Sequence, residues 1–102
     1  MTIQEKIIKW ASERGILSKA TPESQHSKTL EEVQELTDAL ADNDLAAIKD
    51  AIGDTAVTLT IQARMHGWTL EDCLQAAYEE IKNRTGRMVD GAFVKDAGRA
   101  AE

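Results

Sequence analysis

A single cysteine, Cys73, leaves no partner for an intrachain disulfide and no thiolate cluster for a Cys-rich zinc site. One proline and six glycines leave few places where a helix must break. Aromatics are scarce, Trp10 and Trp68 being two of only four. Long hydrophobic runs are missing as well. The longest apolar-leaning stretch, residues 51–63, is cut by Asp54 and three threonines and is too short to span a bilayer, so no membrane role is expected. The start, Met1-Thr2-Ile3-Gln4-Glu5, lacks the basic head and apolar run of a secretory signal, which makes the cytoplasm the default location.

Cations are also in deficit. A net charge of −6 argues against a chain that wraps nucleic acid, because phosphate backbones are gripped by Lys and Arg. The charge is unevenly placed: residues 1–80 hold 15 acids and 7 bases, whereas residues 81–102 hold 3 acids and 5 bases. An anionic ligand can therefore be held between a metal on the acidic part and cations on the basic part.

What is present is an ordinary globular composition, 42% hydrophobic and 29% charged, over 102 residues. That length fits one domain spanning 1–102. A chain of this size buries only about two-thirds of its unfolded surface, so self-association is a natural way to bury more.

The punctuation predicts four helices and a hairpin. Thr2 with Glu5 forms a capping box for a first helix over about 3–14, stopped by Gly15, with Ile3, Ile7, Ile8 and Trp10 on one face. Thr21-Pro22 opens a second that runs to about Asp42. The third begins near Asn43 or Asp44 and runs to His66, before Gly67. Thr69 caps a fourth, from about Leu70 to Arg84. Asp90-Gly91 between the short apolar runs of 88–94 signals a β-hairpin, and residues 95–102 read as a frayed tail. Short loops between long helices imply antiparallel neighbours. The expected fold class is all-α, an antiparallel bundle of about four helices with a short C-terminal β-hairpin.

Between Glu31 and Asp54 lie eight acids and one base, Lys49. An acidic helix face is ordinarily just a solvated face. Here the spacing says more. At about 100° per residue, Lys28, Glu31, Glu35, Asp38 and Asp42 share one side of the second helix, with Glu32 on its flank. Leu30, Val33, Leu36 and Leu40 are expected to face the core. Glu32 and Glu35 can aim at one point, and so can Asp50 and Asp54. The third helix is apolar all round over its second half, which points to burial and places Asp54 in an interior or a cleft. Buried carboxylates facing one another are costly unless paired or bound to metal. Lys28 and Lys49 are too few, so a hard oxygen-liganded cation, Mg²⁺ or Mn²⁺, is expected. His26 and His66 stand too far apart to favour zinc.

Lys28-x-x-Glu31-Glu32-x-x-Glu35, followed by Asp50-Ala51-Ile52-Gly53-Asp54, resembles the acidic signature of MazG-like all-α nucleoside triphosphate pyrophosphohydrolases. That signature reads Glu-Glu-x-x-Glu, a spacer, then Glu-x-x-Asp. Residues 77–84, ending Lys82-Asn83-Arg84, together with Gly86-Arg87-Met88-Val89, are similar to the closing segment of small phage- and prophage-type members. The resemblance covers Trp10 to Val94. It implies hydrolysis of a (d)NTP substrate to the monophosphate and pyrophosphate by a homodimer or homotetramer with sites built partly across subunits. It also implies that Glu32, Glu35 and Asp54 bind metal, with Glu31 a further ligand or the base that activates water. Lys82, Arg84 and Arg87 would offset pyrophosphate charge, Asn83 would bind sugar or phosphate, and Lys28 lies in the motif beside the substrate. Trp10 would serve as a platform near the nucleoside, although a Trp on an amphipathic helix is more often core. The Glu of Glu-x-x-Asp falls on Ala51, which cannot bind metal, and Asp50 is the nearby substitute. Two rivals follow: a catalytically weak nucleotide-binding or regulatory protein of the same fold, and a helical interaction module with an acidic face.

Overall fold

The computed structural model describes residues 1–96. Their architecture is the all-α one expected, with a hairpin at its C-terminal end. The chain divides into two compact units that meet between Glu71 and Asp72.

In the first unit, α1 (Ile3–Glu13) opens on the expected capping box. The Thr2 hydroxyl accepts from the Glu5 N–H at 3.1 Å, and the Glu5 carboxylate accepts from the Thr2 N–H at 2.8 Å. The Thr2 N–H first, and the Thr2 side chain after it, hold the Glu5 carboxyl below its ordinary value. Gly15 takes the left-handed conformation (φ 77°) that lets the chain leave α1 and enter a one-turn helix, α2 (Ile16–Lys19), which no periodicity announced. Helix α3 (Pro22–Ala41) begins at a Thr21–Ser24 capping box, and α4 (Leu45–Met65) at Asp44, whose side chain accepts from the Ala47 N–H at 3.1 Å.

The short link through Asn43 sends α4 back along α3. Gln62 Nε2 donates to the Pro22 carbonyl at 2.9 Å and Gln25 Nε2 to the Thr58 carbonyl at 3.3 Å, which fixes the antiparallel register. The face of α3 toward this seam is Gln25, Thr29, Glu32, Leu36 and Ala39, spaced three and four apart. Gln25, Thr29 and Ala39 are buried there, opposite Ala51, Thr58 and Ile61 on α4. Helix α1 lies against α4 with Ala11 wholly buried.

The core face of α3 therefore differs from the leucine face expected. Leu30, Val33 and Leu40 remain 56%, 42% and 55% exposed, and of that set only Leu36 is even half-buried. The reason lies in α4, which offers small and hydroxyl-bearing side chains at the seam. Those match Thr29 and Gln25, which find hydrogen bonds across it, better than they match leucines.

Helix α5 (Leu70–Ile81) has its first two residues in the first unit and the rest in the second, and ends three residues short of the predicted Arg84. Lys82 N–H still reaches the Tyr78 carbonyl at 2.9 Å, but Arg84 N–H bonds the Ile81 carbonyl at 2.9 Å, tightening the last turn before Thr85 and Gly86 turn extended. Strands β1 (Gly86–Val89) and β2 (Ala92–Lys95) pair antiparallel with Val89 opposite Ala92. Asp90 and Gly91 both have positive φ, 50° and 81°, as a two-residue type I′ turn requires. A Cβ on Gly86 would collide with the Val94 carbonyl and the Phe93 ring. Lys95 closes the ladder, and Asp96 bonds Thr85 through backbone and side chain (3.0 and 2.6 Å), so both belong to the hairpin rather than to a tail. The rest of that expected tail, 97–102, lies outside the described residues. Among the described residues no helix is long and apolar enough to cross a membrane.

Candidate metal centre

Glu32 and Glu35 on α3 and Asp54 on α4 each bring a carboxylate oxygen within 4.8 Å of the others. The packing above explains the meeting. Glu32 belongs to the α3 stripe that faces the seam, Glu35 follows one turn on, and Asp54 precedes buried Thr58 by one turn on the opposite helix. Glu32 is half-buried, but Glu35 and Asp54 are exposed. Of the two placements expected for Asp54, an interior or a cleft, its exposure excludes the interior: it stands at the edge of the seam. Gly53 beside it has no side chain, and nothing lies within 4 Å of where a Cβ would be, so that side stays open.

The electrostatics are those of crowded acids. Hydrogen bonding with the neighbouring Glu35 carboxyl is the largest influence raising the Glu32 carboxyl above its ordinary value; loss of water and the repulsion of Glu35 and Asp54 add to it, while Lys28 opposes. Glu32 Oε2 is sheltered from solvent and has no hydrogen-bond partner. A sheltered, orphaned oxygen beside two further carboxylates fits a hard divalent cation. The donors are all oxygen, and no His or Cys joins them among the described residues.

Of the other expected ligands in the first unit, Glu31 and Asp50 lie outside this group of three. Glu31 turns toward Lys28, with Nζ 3.4 Å from its Oε1, in an exposed pair. Asp50 is exposed and outside the group, and Ala51 is buried at 3% exposure. Lys82 pairs with Glu79, Asn83 and Arg84 occupy the turn after α5, and Arg87 sits on β1; all four are exposed and belong to the second unit. Trp10 is 44% exposed rather than core, with the Arg14 guanidinium 5.6 Å above its ring. Gln25, Thr29 and Thr58 were not singled out from the sequence. Thr29 three residues before Glu32, Gln25 four before Thr29, and Thr58 four after Asp54 form the available signal. A cavity of about 760 Å³, lined by Ile8, Leu17, Thr60, Arg64 and Trp68 among others, is separate from the carboxylates.

A profile of the MazG nucleotide pyrophosphohydrolase domain matches residues 20–89, a span that contains the three carboxylates, Lys82, Asn83, Arg84 and Arg87. An uncharacterized 18.2 kDa protein from the rep-hol intergenic region of Haemophilus phage HP1 (strain HP1c1) is 37% identical over 62 residues. The match covers 61% of this chain and 38% of that protein, so the chain spans well under half the length of this relative. No solved structure matches.

Proposed function

The chain belongs to the MazG nucleotide pyrophosphohydrolase family, and from that premise we propose that it is a metal-dependent hydrolase that converts a (d)NTP and water to the (d)NMP and pyrophosphate, with Mg²⁺ or Mn²⁺ as cation. The observation that carries this is the convergence of Glu32, Glu35 and Asp54 within 4.8 Å around an unpartnered Glu32 oxygen. A bound divalent cation supplies neutralisation of the triphosphate and activation of water. Glu32, Glu35 and Asp54 would hold it, with Asp50 reaching it directly or through water and Glu31 either a further ligand or the base that activates water.

The remaining roles fall to the chain itself. The water oxygen bonds to the α-phosphorus as the bridging α–β oxygen leaves with pyrophosphate. Glu31, exposed and engaged only by Lys28, is the carboxylate suited to take the water's proton. Lys28, Lys82, Arg84 and Arg87 offset phosphate charge, Asn83 binds sugar or phosphate, and Trp10 offers its ring to the base. The active species is a homodimer or homotetramer in the cytoplasmic nucleotide pool. Exposed Leu30, Val33, Leu40, Ile52 and Leu59 supply an apolar face for that association.

One observation favours a second reading. Ala51, where the family signature carries Glu, is buried and offers no ligand, as in a weak or regulatory nucleotide binder. Purified protein with a panel of canonical and modified (d)NTPs and Mg²⁺ or Mn²⁺ separates the two. Pyrophosphate with monophosphate is expected; nucleotide binding without turnover would favour the regulator, and orthophosphate would sink the reaction class.

A further inference from the structure

The Thr29 hydroxyl lies 2.9 Å from that of Thr58 across the seam between α3 and α4, and both residues are buried. The protons fix the direction of this bond. Thr58 donates its own to the Thr55 carbonyl at 2.7 Å, so its oxygen is left to accept from Thr29. The Thr29 proton has one other acceptor, the Gln25 carbonyl at 3.2 Å, and turning there would break the link between helices. Gln25 reinforces the same point by donating to the Thr58 carbonyl.

Glu32 follows Thr29 by three residues and Asp54 precedes Thr58 by four. The hydroxyl pair and the carboxylates are thus neighbours about one turn apart on both helices, roughly 5–6 Å along the axes. A helix does not bend appreciably over one turn, so a change in seam width at the threonines reaches the carboxylates nearly undiminished. Mg²⁺ demands oxygens at about 2.0–2.1 Å in near-ideal octahedral geometry, while Ca²⁺ tolerates roughly 2.3–2.6 Å and looser arrangements. A few tenths of an ångström at the seam therefore discriminate between them.

We propose that the buried Thr29–Thr58 hydroxyl pair is the spacer that sets the separation of Glu32 from Asp54 and, through it, the preference of the site for Mg²⁺ over Ca²⁺. This rests on the carboxylates being the metal site. The two threonines are positioning residues that touch neither cation nor substrate.

The test is Mn²⁺ uptake by the full chain without nucleotide, read from the electron paramagnetic resonance signal of free Mn²⁺, with Mg²⁺ and Ca²⁺ as competitors. Thr29→Val keeps the volume and replaces the donor by a methyl. It is expected to weaken Mg²⁺ on the order of tenfold, the lower end for loss of an outer support, and to leave Ca²⁺ nearly unchanged. Thr29→Ser keeps the hydroxyl and is expected to retain the wild-type Mg²⁺/Ca²⁺ ratio at a lowered melting temperature. A wild-type ratio in the valine variant, or an equal loss of both cations, would overturn the spacer role. Should the valine variant not fold, the serine variant decides alone, and a changed ratio in it overturns the proposal. Wild-type protein that takes up no Mn²⁺ would overturn the metal centre and the spacer together, which keeps the two failures apart.

Discussion

Helices α3 and α4 share one seam with two unlike edges. Along one edge stand Glu32, Glu35 and Asp54; a step of about 100° per residue puts Leu30, Val33 and Leu40 on the other flank of α3, and Ile52 and Leu59 well round α4 from Asp54. Both edges are unsatisfied in the lone chain, but for opposite reasons. The first lacks countercharge, the second lacks cover, since Ile52 is 55% and Leu59 42% exposed. A point charge can relieve the first, whereas only an area of apolar surface relieves the second. The seam between them is small-sided and hydroxyl-bonded, so neither edge can be buried by rotating a helix without breaking its bonds.

The largest expected effect breaks the charged edge alone. If the proposed metal centre is right, Glu35→Gln with Asp54→Asn removes two of its anionic ligands, and a metal worth several kcal/mol in the transition state makes the expected loss of turnover about 10²–10³-fold. The metal-free fold should hold or gain in melting temperature, because like charges have been relieved. Turnover within a few-fold of wild type would show that the three carboxylates meet for some other reason. Next comes the apolar edge. Leu59→Asp should weaken self-association by roughly thirtyfold, the equivalent of about 2 kcal/mol for one leucine withheld from an interface. Light scattering across a dilution series reads it; an unchanged mass would move the interface elsewhere.

The two edges were not equally legible in the sequence. Helix ends were, because Thr2, Thr21, Asp44 and Gly15 act through local backbone bonds that depend on nothing distant. Glu32, Glu35 and Asp54 were found because acids three apart on one helix and a Gly-Asp pair on the next are a dense local pattern, and the family signature named the same residues. Hydrophobicity alone points to the wrong core face of α3. In a short chain that leaves much apolar surface uncovered, three leucine or valine positions of α3 stay outside while Thr29 and Gln25 go in. That choice depends on what α4 presents, and α4 lies some thirty residues away. Lys82 and Arg84 are good helix formers, yet α5 stops at Ile81 because the strand demanded by Gly86 and Phe93 overrides them.

Acidity sharpens the comparison, since it touches one edge and not the other. The Glu32 carboxyl is raised in the metal-free fold, so between its ordinary value and that raised value the folded chain binds more protons than the unfolded one. Metal-free stability from this group is full below that window and falls as pH rises through it. Cation uptake runs the other way, because a ligand must shed its proton: Mg²⁺ or Mn²⁺ affinity should climb with pH through the same window and then level. Glu32→Gln should flatten the climb, while the mass of the wild-type protein should not respond to pH there. Calorimetric titration and light scattering from the ordinary carboxylate range upward check the two in turn. A pH-independent affinity would separate Glu32 from the cation.

The smallest expected effect concerns Lys28, the cation among the described residues that lowers the Glu32 carboxyl. Lys28 pairs with Glu31 at 3.4 Å, with the two side chains 57% and 64% exposed, and such pairs are worth roughly 0–1 kcal/mol. Lys28→Ala should therefore leave the melting temperature nearly unmoved. It should still register at the edge, because Lys28 is the one influence that lowers the Glu32 carboxyl against four that raise it. With the ammonium gone, the proton is held more tightly and the rise of metal affinity shifts to higher pH. The paired outcome matters: stability unmoved and titration displaced means that Lys28 acts through the field at Glu32, not through its bond to Glu31. A variant that loses stability but titrates as wild type would reverse that assignment and leave the three acids with no protein cation to temper them.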